Sequence, residues 1–386
     1  MNKWVACTGL AVFLAVLGGC FLMPGDAEGA QTAAGRERTA LLKKYMPLAA
    51  ADGAVKVAVI RNLSAGDHTT QFIEGCVSEG QALGFTVDTF ITDGDGDRCQ
   101  AVVAEAIGKD YDGLILSHGG AEYTYNALKP AVDKGMAVVT FDSVPYPNGD
   151  PTGQILRGVT STAQDDAKLA YLSLQALVKS FETGGRPLRV IRAWMGPGVP
   201  PLDRRQLTYD QYVRAGTIVE AALAAPGDFA NPRGGAQAAL AALLPLHPEG
   251  TVDAIWGSYD ELAKGCLDAL DAAGRKDIKL ISIDISNDDI SLMLSHADVW
   301  VSTTAADPKL IGIVDMRILA AKFAGESTPD TYNFDVQEIK TTALNSSITM
   351  ANIATVRYGW GDEKGVFDRY GWMADIKDAD SSLSDF

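Results

Sequence analysis

Few side chains of this 386-residue sequence are spaced as catalysis or metal binding requires. Its four histidines lie in separate segments, and only His68 and His118 follow predicted strands. No Gly-x-x-x-x-Gly-Lys-Ser/Thr, His-Glu-x-x-His or Gly-x-Ser-x-Gly motif occurs, so nothing indicates a phosphate-binding loop, a zinc protease or a serine hydrolase. We therefore expect neither an enzyme nor a bound cofactor.

One acidic run is similar to a cation site without completing it. Residues 93–97 alternate aspartate with glycine, like the start of a calcium loop. Arg98 stands where such a loop needs glycine, however, and Ala104 where it needs a bidentate glutamate. The prediction for this run is a solvated turn that binds no metal.

The N-terminus has the pattern of an export signal. A basic residue precedes an apolar stretch over residues 10–17, which is too short to span a membrane, and small residues follow up to Cys20. Residues 17–20 also resemble the lipobox of bacterial lipoproteins. We predict that residues 1–19 are a signal peptide and that the acylated thiol of Cys20 anchors an exported protein to the membrane. In the alternative, a conventional signal peptidase cuts near residues 27–29 and Cys20 is lost.

Three cysteines remain beyond the predicted anchor, namely Cys76, Cys99 and Cys266. Cys76 and Cys99 could pair in an oxidising compartment, or both could be buried as small apolar side chains. No Cys-x-x-Cys pair and no cysteine–histidine cluster occurs, so a zinc site is not predicted.

Composition excludes some classes of protein and partner. The 33 basic and 49 acidic residues give a net charge of −16, so nucleic acid would be repelled and is not an expected partner. Hydrophobic residues make up 47% of the chain, enough to build the cores of two or three domains.

Short apolar runs alternate with helical periodicity along most of the chain, which is typical of repeated βα units. Strands of a first set are predicted at residues 55–60, 85–91, 113–117 and 136–141. A second set, which begins after Thr160, is predicted at residues 188–194, 252–256, 279–284 and 299–304. Two successive sets in a chain of this length predict two α/β lobes, with a ligand crevice between the carboxyl ends of their strands.

The same apolar patterns predict the structure of the segments before, within and after these two sets of strands. A tether over residues 20–53 ends in a short helix at 39–45, and another helix is predicted at 209–223. Residues 332–343 are predicted to be one returning strand, and the last forty residues to wrap over one lobe.

Sequence motifs then indicate a family. Four stretches together resemble the type I periplasmic sugar-binding proteins, the ribose-binding-like solute receptors of ABC importers: TFDS at 140–143, VIRAWMGPGVPPLDRRQLTY at 190–209, WGSYDELAKGCLDAL at 256–270 and ISID at 281–284. The similarity extends over roughly residues 55–340.

The resemblance implies the periplasmic-binding-protein-like I fold, in which two doubly wound parallel-sheet α/β lobes are joined by three hinge crossings. We place these crossings near residues 159–162, 303–308 and 343–346. The N-terminal lobe would then comprise residues 54–160 plus 307–343, and the C-terminal lobe and tail residues 161–306 plus 344–386.

The matched positions imply three ligand-binding residues, Asp142, Arg205 and Asp284. Carboxylates accept hydrogen bonds from adjacent hydroxyls and a guanidinium donates others, a combination suited to a neutral polyhydroxyl ligand. Asp142 or Asp284 could instead cap the following helix. Arg205 could be an exposed partner of Asp203, and Arg204 competes with it for the inward position.

Other positions of the cleft depart from the family pattern. His68 and Thr69 stand where relatives carry an aromatic pair, Tyr259 where they often carry asparagine, and Ala306 at the late glutamine position. These changes put ribose itself in doubt as the ligand. Asp67 could add a polar contact beside His68, or cap the first helix of the lobe.

Trp194 and Trp256, which end two predicted strands, are also candidates for the ligand site. Their rings could supply the stacking faces that the other positions lack, or they could pack in the core.

The resemblance implies a monomeric periplasmic receptor that captures a small polar ligand, a sugar or polyol, and delivers it to an ABC permease in the membrane. The alternative is a co-receptor of the same fold that presents its ligand to a two-component sensor kinase. Neither function involves covalent chemistry.

Overall fold

Buried apolar runs form strands in two separate sheets of the computed structural model, which describes residues 24–51, 53–64, 66–181, 185–227, 230–368 and 370–381. The strands are β1 (Lys56–Arg61), β2 (Thr86–Ile91), β3 (Gly113–Ser117), β4 (Ala137–Phe141), β5 (Val159–Gln164), β6 (Leu188–Ala193), β7 (Ile218–Ala224), β8 (Ala254–Gly257), β9 (Lys279–Ile283), β10 (Trp300–Ala305), β11 (Thr331–Phe334) and β12 (Gln337–Lys340). The helices are α1 (Pro24–Tyr45), α2 (Asp67–Ala82), α3 (Gly96–Gly108), α4 (Thr124–Asp133), α5 (Asp166–Lys179), α6 (Pro200–Arg214), α7 (Pro232–Leu243), α8 (Asp260–Ala272), α9 (Asn287–Ser295), α10 (Pro308–Phe323) and α11 (Gly371–Ser381).

Each sheet is the centre of one lobe. The N-lobe sheet has the order β11-β5-β4-β3-β1-β2 and is parallel throughout. The C-lobe sheet has the order β12-β10-β9-β8-β6-β7, and only β12 runs antiparallel, against β10. The predicted fold class, two doubly wound α/β lobes, is confirmed.

The chain passes between the lobes after β5, between β10 and α10, and between β11 and β12. The expected third crossing at 343–346 is wrong, because residues 337–340 already pair with β10 of the C-lobe. Residues 332–343 are therefore two strands in different sheets rather than one. The first crossing lies later than expected, since the unpredicted strand β5 keeps residues 159–164 in the N-lobe.

The C-terminal segment contacts both lobes, so the expected wrap over a single lobe is wrong. Ile353 and Trp360 are buried in the C-lobe core, whereas Trp372 joins the core beneath the N-lobe. Helix α11 packs on α1 and α2, and the Tyr45 hydroxyl donates to Asp375 Oδ2 at 2.8 Å. Segments that are far apart in the chain bury their apolar faces on each other here, which local periodicity does not reveal.

Two helices differ from the predictions. Helix α1 begins at Pro24 rather than at residue 39. The helix predicted over 209–223 ends at Arg214, and β7 follows a turn at Gly216, whose φ of 69° lies in the left-handed region. Alanine and glutamate favour a helix in residues 218–224, but pairing with β6 overrides that preference.

Cys76 and Cys99 are free and buried in different cores, so the structure contains no bridge between them. In the acidic run, Asp95 caps α3 by accepting from Arg98 N at 3.0 Å, and Asp93 pairs with the Arg98 guanidinium. Within the described ranges no helix combines the length and apolarity needed to cross a membrane.

Candidate ligand-binding cleft

The carboxyl edges of the two sheets carry polar residues in a strained backbone conformation. His118, Asp142 and Asp284 directly follow β3, β4 and β9, with φ values of 60°, 50° and 74°. Each backbone N–H still donates to a carbonyl at the next strand, at 2.8–3.0 Å. Left-handed geometry is unfavourable for residues other than glycine and concentrates at functional sites. The three strained turns therefore mark the cleft between the lobes as the candidate functional site.

The C-lobe wall is built around Arg205, which is only 2% exposed on α6. Its Nε donates to Asp166 Oδ1 at 2.8 Å, and its Nη1 donates to Asp284 Oδ2 at 3.0 Å and to the Ser258 carbonyl at 2.8 Å. Burial alone would lower the pKa of Arg205, but Asp284 and Asp166 outweigh it and raise that pKa. Two of the predicted residues, Arg205 and Asp284, are thus bound to each other within one wall.

Arg204 joins the two walls. Its guanidinium lies 2.7 Å from Asp166 Oδ2 in the C-lobe and 3.1 Å from Asp142 Oδ1 in the N-lobe. The Arg204 side chain remains 35% exposed. Both arginines of the pair therefore face the cleft, and the sequence-based choice between them is not needed.

Asp142 has unused hydrogen-bonding capacity. The residue is 2% exposed, and its Oδ2 has no hydrogen-bond partner among the described residues. His118 Nε2 lies 3.8 Å from that oxygen. Burial and repulsion from Asp166 raise the pKa of Asp142 to about 7, despite the opposing effect of Arg204. A free acceptor is thus held in the cleft at an energetic cost.

The N-lobe wall contains Arg61, a fully buried residue at the end of β1. Its Nη2 lies 2.8 Å from His68 Nδ1, and its Nη1 lies 3.2 Å from His118 Nδ1 and 2.5 Å from Ser117 Oγ. Burial lowers the pKa of Arg61 to about 10, although Asp142 acts in the opposite direction. His68 was predicted for this wall, and Arg61 was not. A charged residue ending a strand buried on both faces was the available signal.

Direct bonds between the lobes hold the cleft closed. Asp67 Oδ2 accepts from Asn287 N at 2.6 Å, and Gln164 Nε2 donates to Asp284 Oδ1 at 3.4 Å. Of the two roles considered for Asp67, the cap of α2 is wrong, because no side chain caps that helix and the carboxylate bonds to the other lobe. A polar contact between Asp67 and the ligand stays a prediction.

The predicted aromatic residues divide between core and cleft edge. Trp256 is fully buried, donates to Ser173 Oγ at 2.9 Å and stacks on Tyr209 with ring centroids 4.9 Å apart, so it is a core residue. Trp194 is half-buried after β6, and its buried Nε1 has no partner among the described residues. Tyr259 is half-buried where α8 begins, and burial together with nearby carboxylates raises its pKa.

This geometry defines a two-lobed receptor with polar groups of both lobes converging on one cleft. The model of the periplasmic binding protein domain matches residues 57–327, and the chain belongs to that family. The family consists of solute-binding receptors rather than enzymes, and membership implies a location outside the cytoplasm. The resemblance to type I periplasmic sugar-binding proteins is confirmed.

Solved structures give the same result. A sugar ABC transporter protein from Yersinia enterocolitica is 38% identical, with a TM-score of 0.77 over 88% of this chain and 97% of that one. A 5-methylthioribose solute-binding protein from Thermotoga lettingae is 25% identical, with a TM-score of 0.69 over 84% and 97%. A solute-binding protein from Agrobacterium vitis, solved with tagatopyranose, shares the fold at 18% identity and a TM-score of 0.66, over 76% and 96%.

Proposed function

We propose that this protein captures a neutral sugar or polyol between its lobes and delivers it to an ABC permease. The observation that carries the proposal is a set of buried polar atoms at the cleft without a partner among the described residues: Asp142 Oδ2, Gln164 Oε1 and Ser258 Oγ. Buried polar groups are normally hydrogen-bonded, and the hydroxyls of a sugar both donate and accept. Unpartnered atoms of this kind, contributed by both lobes, are the groups that ligand hydroxyls would pair with.

The mixed charge of the walls favours a neutral ligand. Guanidinium groups of three arginines lie among the carboxyl groups of several aspartates: Arg61, Arg204, Arg205, Asp67, Asp142, Asp166 and Asp284. A ligand with net charge would be repelled by the groups of like charge on the walls. It would also lose its hydration on entering the cleft, which is costly for a charged group. Hydroxyl groups carry no such cost.

Transport is the favoured role because the Yersinia and Thermotoga relatives are named as transporter components. The sensor-kinase alternative draws no support from these relatives. Uptake of a labelled sugar by vesicles that contain the cognate permease tests this choice. We expect uptake only when the receptor is added, and receptor-independent uptake would contradict delivery.

Ligand identity is tested by calorimetry with a panel of sugars. We include 5-methylthioribose, which the Thermotoga relative binds, together with tagatose and ribose. At least one neutral member is expected to bind the parent and to bind Asp142→Asn more weakly. A charged solute, such as a sugar acid, is added as a control, and if all neutral members fail while that solute binds, the proposed ligand class is wrong.

Anchoring through Cys20 remains part of the proposal, and this residue lies outside the described residues. Cys20→Ser should move the protein from the membrane fraction to the soluble fraction. Identical fractionation and an unacylated mass for both forms would contradict the anchor. Small-angle scattering in the same preparations tests the expected monomer.

A further inference from the structure

The buried guanidinium of Arg61 contacts the rings of two histidines. A guanidinium only donates hydrogen bonds, because none of its nitrogens has an available lone pair. Arg61 lies 2.8 Å from His68 Nδ1 and 3.2 Å from His118 Nδ1. Both Nδ1 atoms must therefore be unprotonated acceptors, and each neutral ring carries its proton on Nε2.

The surroundings of Arg61 hold this arrangement in place. The guanidinium lies over the rings of Phe72 and Phe141, at 4.7 and 5.8 Å from their centroids. Ser117 Oγ accepts from Arg61 at 2.5 Å and lies 2.8 Å from His118 Nδ1, so its hydroxyl proton points to that same nitrogen. Two donors thus converge on one ring nitrogen.

We propose that Arg61 is a positioning residue that fixes His68 and His118 as neutral tautomers with the proton on Nε2, which gives the N-lobe wall permanent, uncharged donors. The consequence for binding rests on the proposed function. His118 Nε2 is 3.8 Å from the free Oδ2 of Asp142, a gap that a ligand hydroxyl bridges by accepting from one and donating to the other.

Charged groups on several neighbouring elements act on the two imidazole rings. Burial, Arg61 and Arg205 lower the pKa of His68 to about 4, against the opposing effects of Asp284 and Asp67. Burial and Arg61 also lower the pKa of His118 well below 6.5, and His68, Arg204 and Arg205 act in the same direction. Asp142 lies near His118 at 3.8 Å but does not reverse this direction.

The test uses imidazole ¹⁵N NMR on the ligand-free mature protein, because the nitrogen shift distinguishes protonated from unprotonated ring nitrogens. Substitution of each histidine assigns the signals, and His247 and His296, outside the cleft, serve as references. We expect His68 and His118 to show unprotonated Nδ1, protonated Nε2 and no titration from about pH 5.5 to 8. Arg61→Met should release the tautomer, so that at least one of the two rings shows a partly protonated Nδ1, and Arg61→Lys should restore the unprotonated Nδ1.

Either histidine protonated on Nδ1, or titrating in that range in the parent, would overturn the proposal. The parent spectrum decides the tautomers even if Arg61→Met fails to fold. Because no ligand is needed, failure here is distinct from failure of the proposed sugar-binding function.

Discussion

The two walls of the cleft differ in the partners that they give to a buried arginine. In the C-lobe wall, Arg205 is saturated by Asp166, Asp284 and the Ser258 carbonyl. In the N-lobe wall, Arg61 donates to neutral partners and makes no ion pair among the described residues. The Arg205 network of the C-lobe wall is saturated, although Ser258 Oγ beside it has no partner among the described residues, whereas Asp142 Oδ2 and Gln164 Oε1 of the N-lobe wall retain unused hydrogen-bonding capacity.

This contrast indicates where stability and recognition separate. Removing one member of a saturated buried ion network leaves an unpaired charge, so the fold should suffer first. A buried polar atom without a hydrogen-bond partner destabilises the ligand-free protein. Replacing the residue that carries it should therefore weaken ligand binding before it lowers the free energy of unfolding. Paired variants of the two walls test this division.

The largest effect is expected for Arg205→Met, which leaves Asp166 and Asp284 without their shared buried cation. We expect the free energy of unfolding to fall by about 3–5 kcal/mol, as for other broken buried ion networks. Urea unfolding measures it. Arg204→Met is the comparison: Asp166 keeps its bond to Arg205, and Asp142, whose pKa is already raised, can take up a proton, so the cost should be smaller, about 1–2 kcal/mol. Equal losses would remove the distinction between the two arginines.

At about pH 8, where the Asp142 carboxyl is mostly ionised, Asp142→Asn should weaken ligand binding by about 2 kcal/mol, or roughly thirtyfold, because the acceptor facing the ligand becomes uncharged. Calorimetry with the sugar found in the panel measures this change. Asp284→Asn is the counterpart, and it should also lower stability because Arg205 loses a bonded carboxylate. If Asp142→Asn destabilises the protein more than Asp284→Asn does, the contrast between the walls is wrong.

Asp142 also predicts a pH dependence of stability. Its pKa is raised from 3.8 to about 7 in the folded protein, so the folded state binds more protons between these values and the contribution of Asp142 to stability falls as pH rises. The unfolding free energy of Asp142→Asn minus that of the parent should therefore increase from about pH 5 to 8. The histidines are present in both proteins and cancel in the difference. A flat difference would mean that Asp142 has an ordinary pKa.

Trp256→Phe should lower the unfolding free energy by about 1–2 kcal/mol, because it removes core volume and the bond to Ser173. Trp194→Phe, at the half-buried edge, should leave stability nearly unchanged and weaken sugar binding by a few-fold. Chemical unfolding and calorimetry on both variants separate core from cleft. The reverse pattern would exchange the two assignments.

The smallest effect is expected for Asp67→Ala, which removes one bond between the lobes, to Asn287 N. The closed state should lose about 0.5–1 kcal/mol, and the radius of gyration from small-angle scattering should rise slightly. Asp95→Ala is the control, since this helix cap lies outside the cleft and should leave the radius unchanged. Equal radii for Asp67→Ala and the parent would contradict a latch at this position.

The sequence predicted most strands of both sheets because buried parallel strands are continuous apolar runs with punctuated ends. Strands β5 and β7 were not predicted. The sequence of β5, VTSTAQ, is mostly polar, and the sequence of β7, IVEAALA, favours a helix. Only pairing with neighbouring strands determines these segments. The third crossing was misplaced for the same reason, because β11 and β12 read as one strand until their sheets are known.

For the site, the family motifs pointed to Asp142, Arg205 and Asp284, which lie in one network because Arg205 bonds to Asp284 and Arg204 bonds to Asp142. Their contact with a ligand stays a prediction. Sequence alone determined the two-lobed α/β class, because apolar periodicity and motif order are local properties of the chain. Tertiary structure alone decided that Trp256 is core, that Asp67 reaches Asn287, and that Arg61 lies between His68 and His118. Those outcomes depend on contacts between side chains of elements that lie far apart in the chain. Only these contacts determine which side chains are buried and which are hydrogen-bonded.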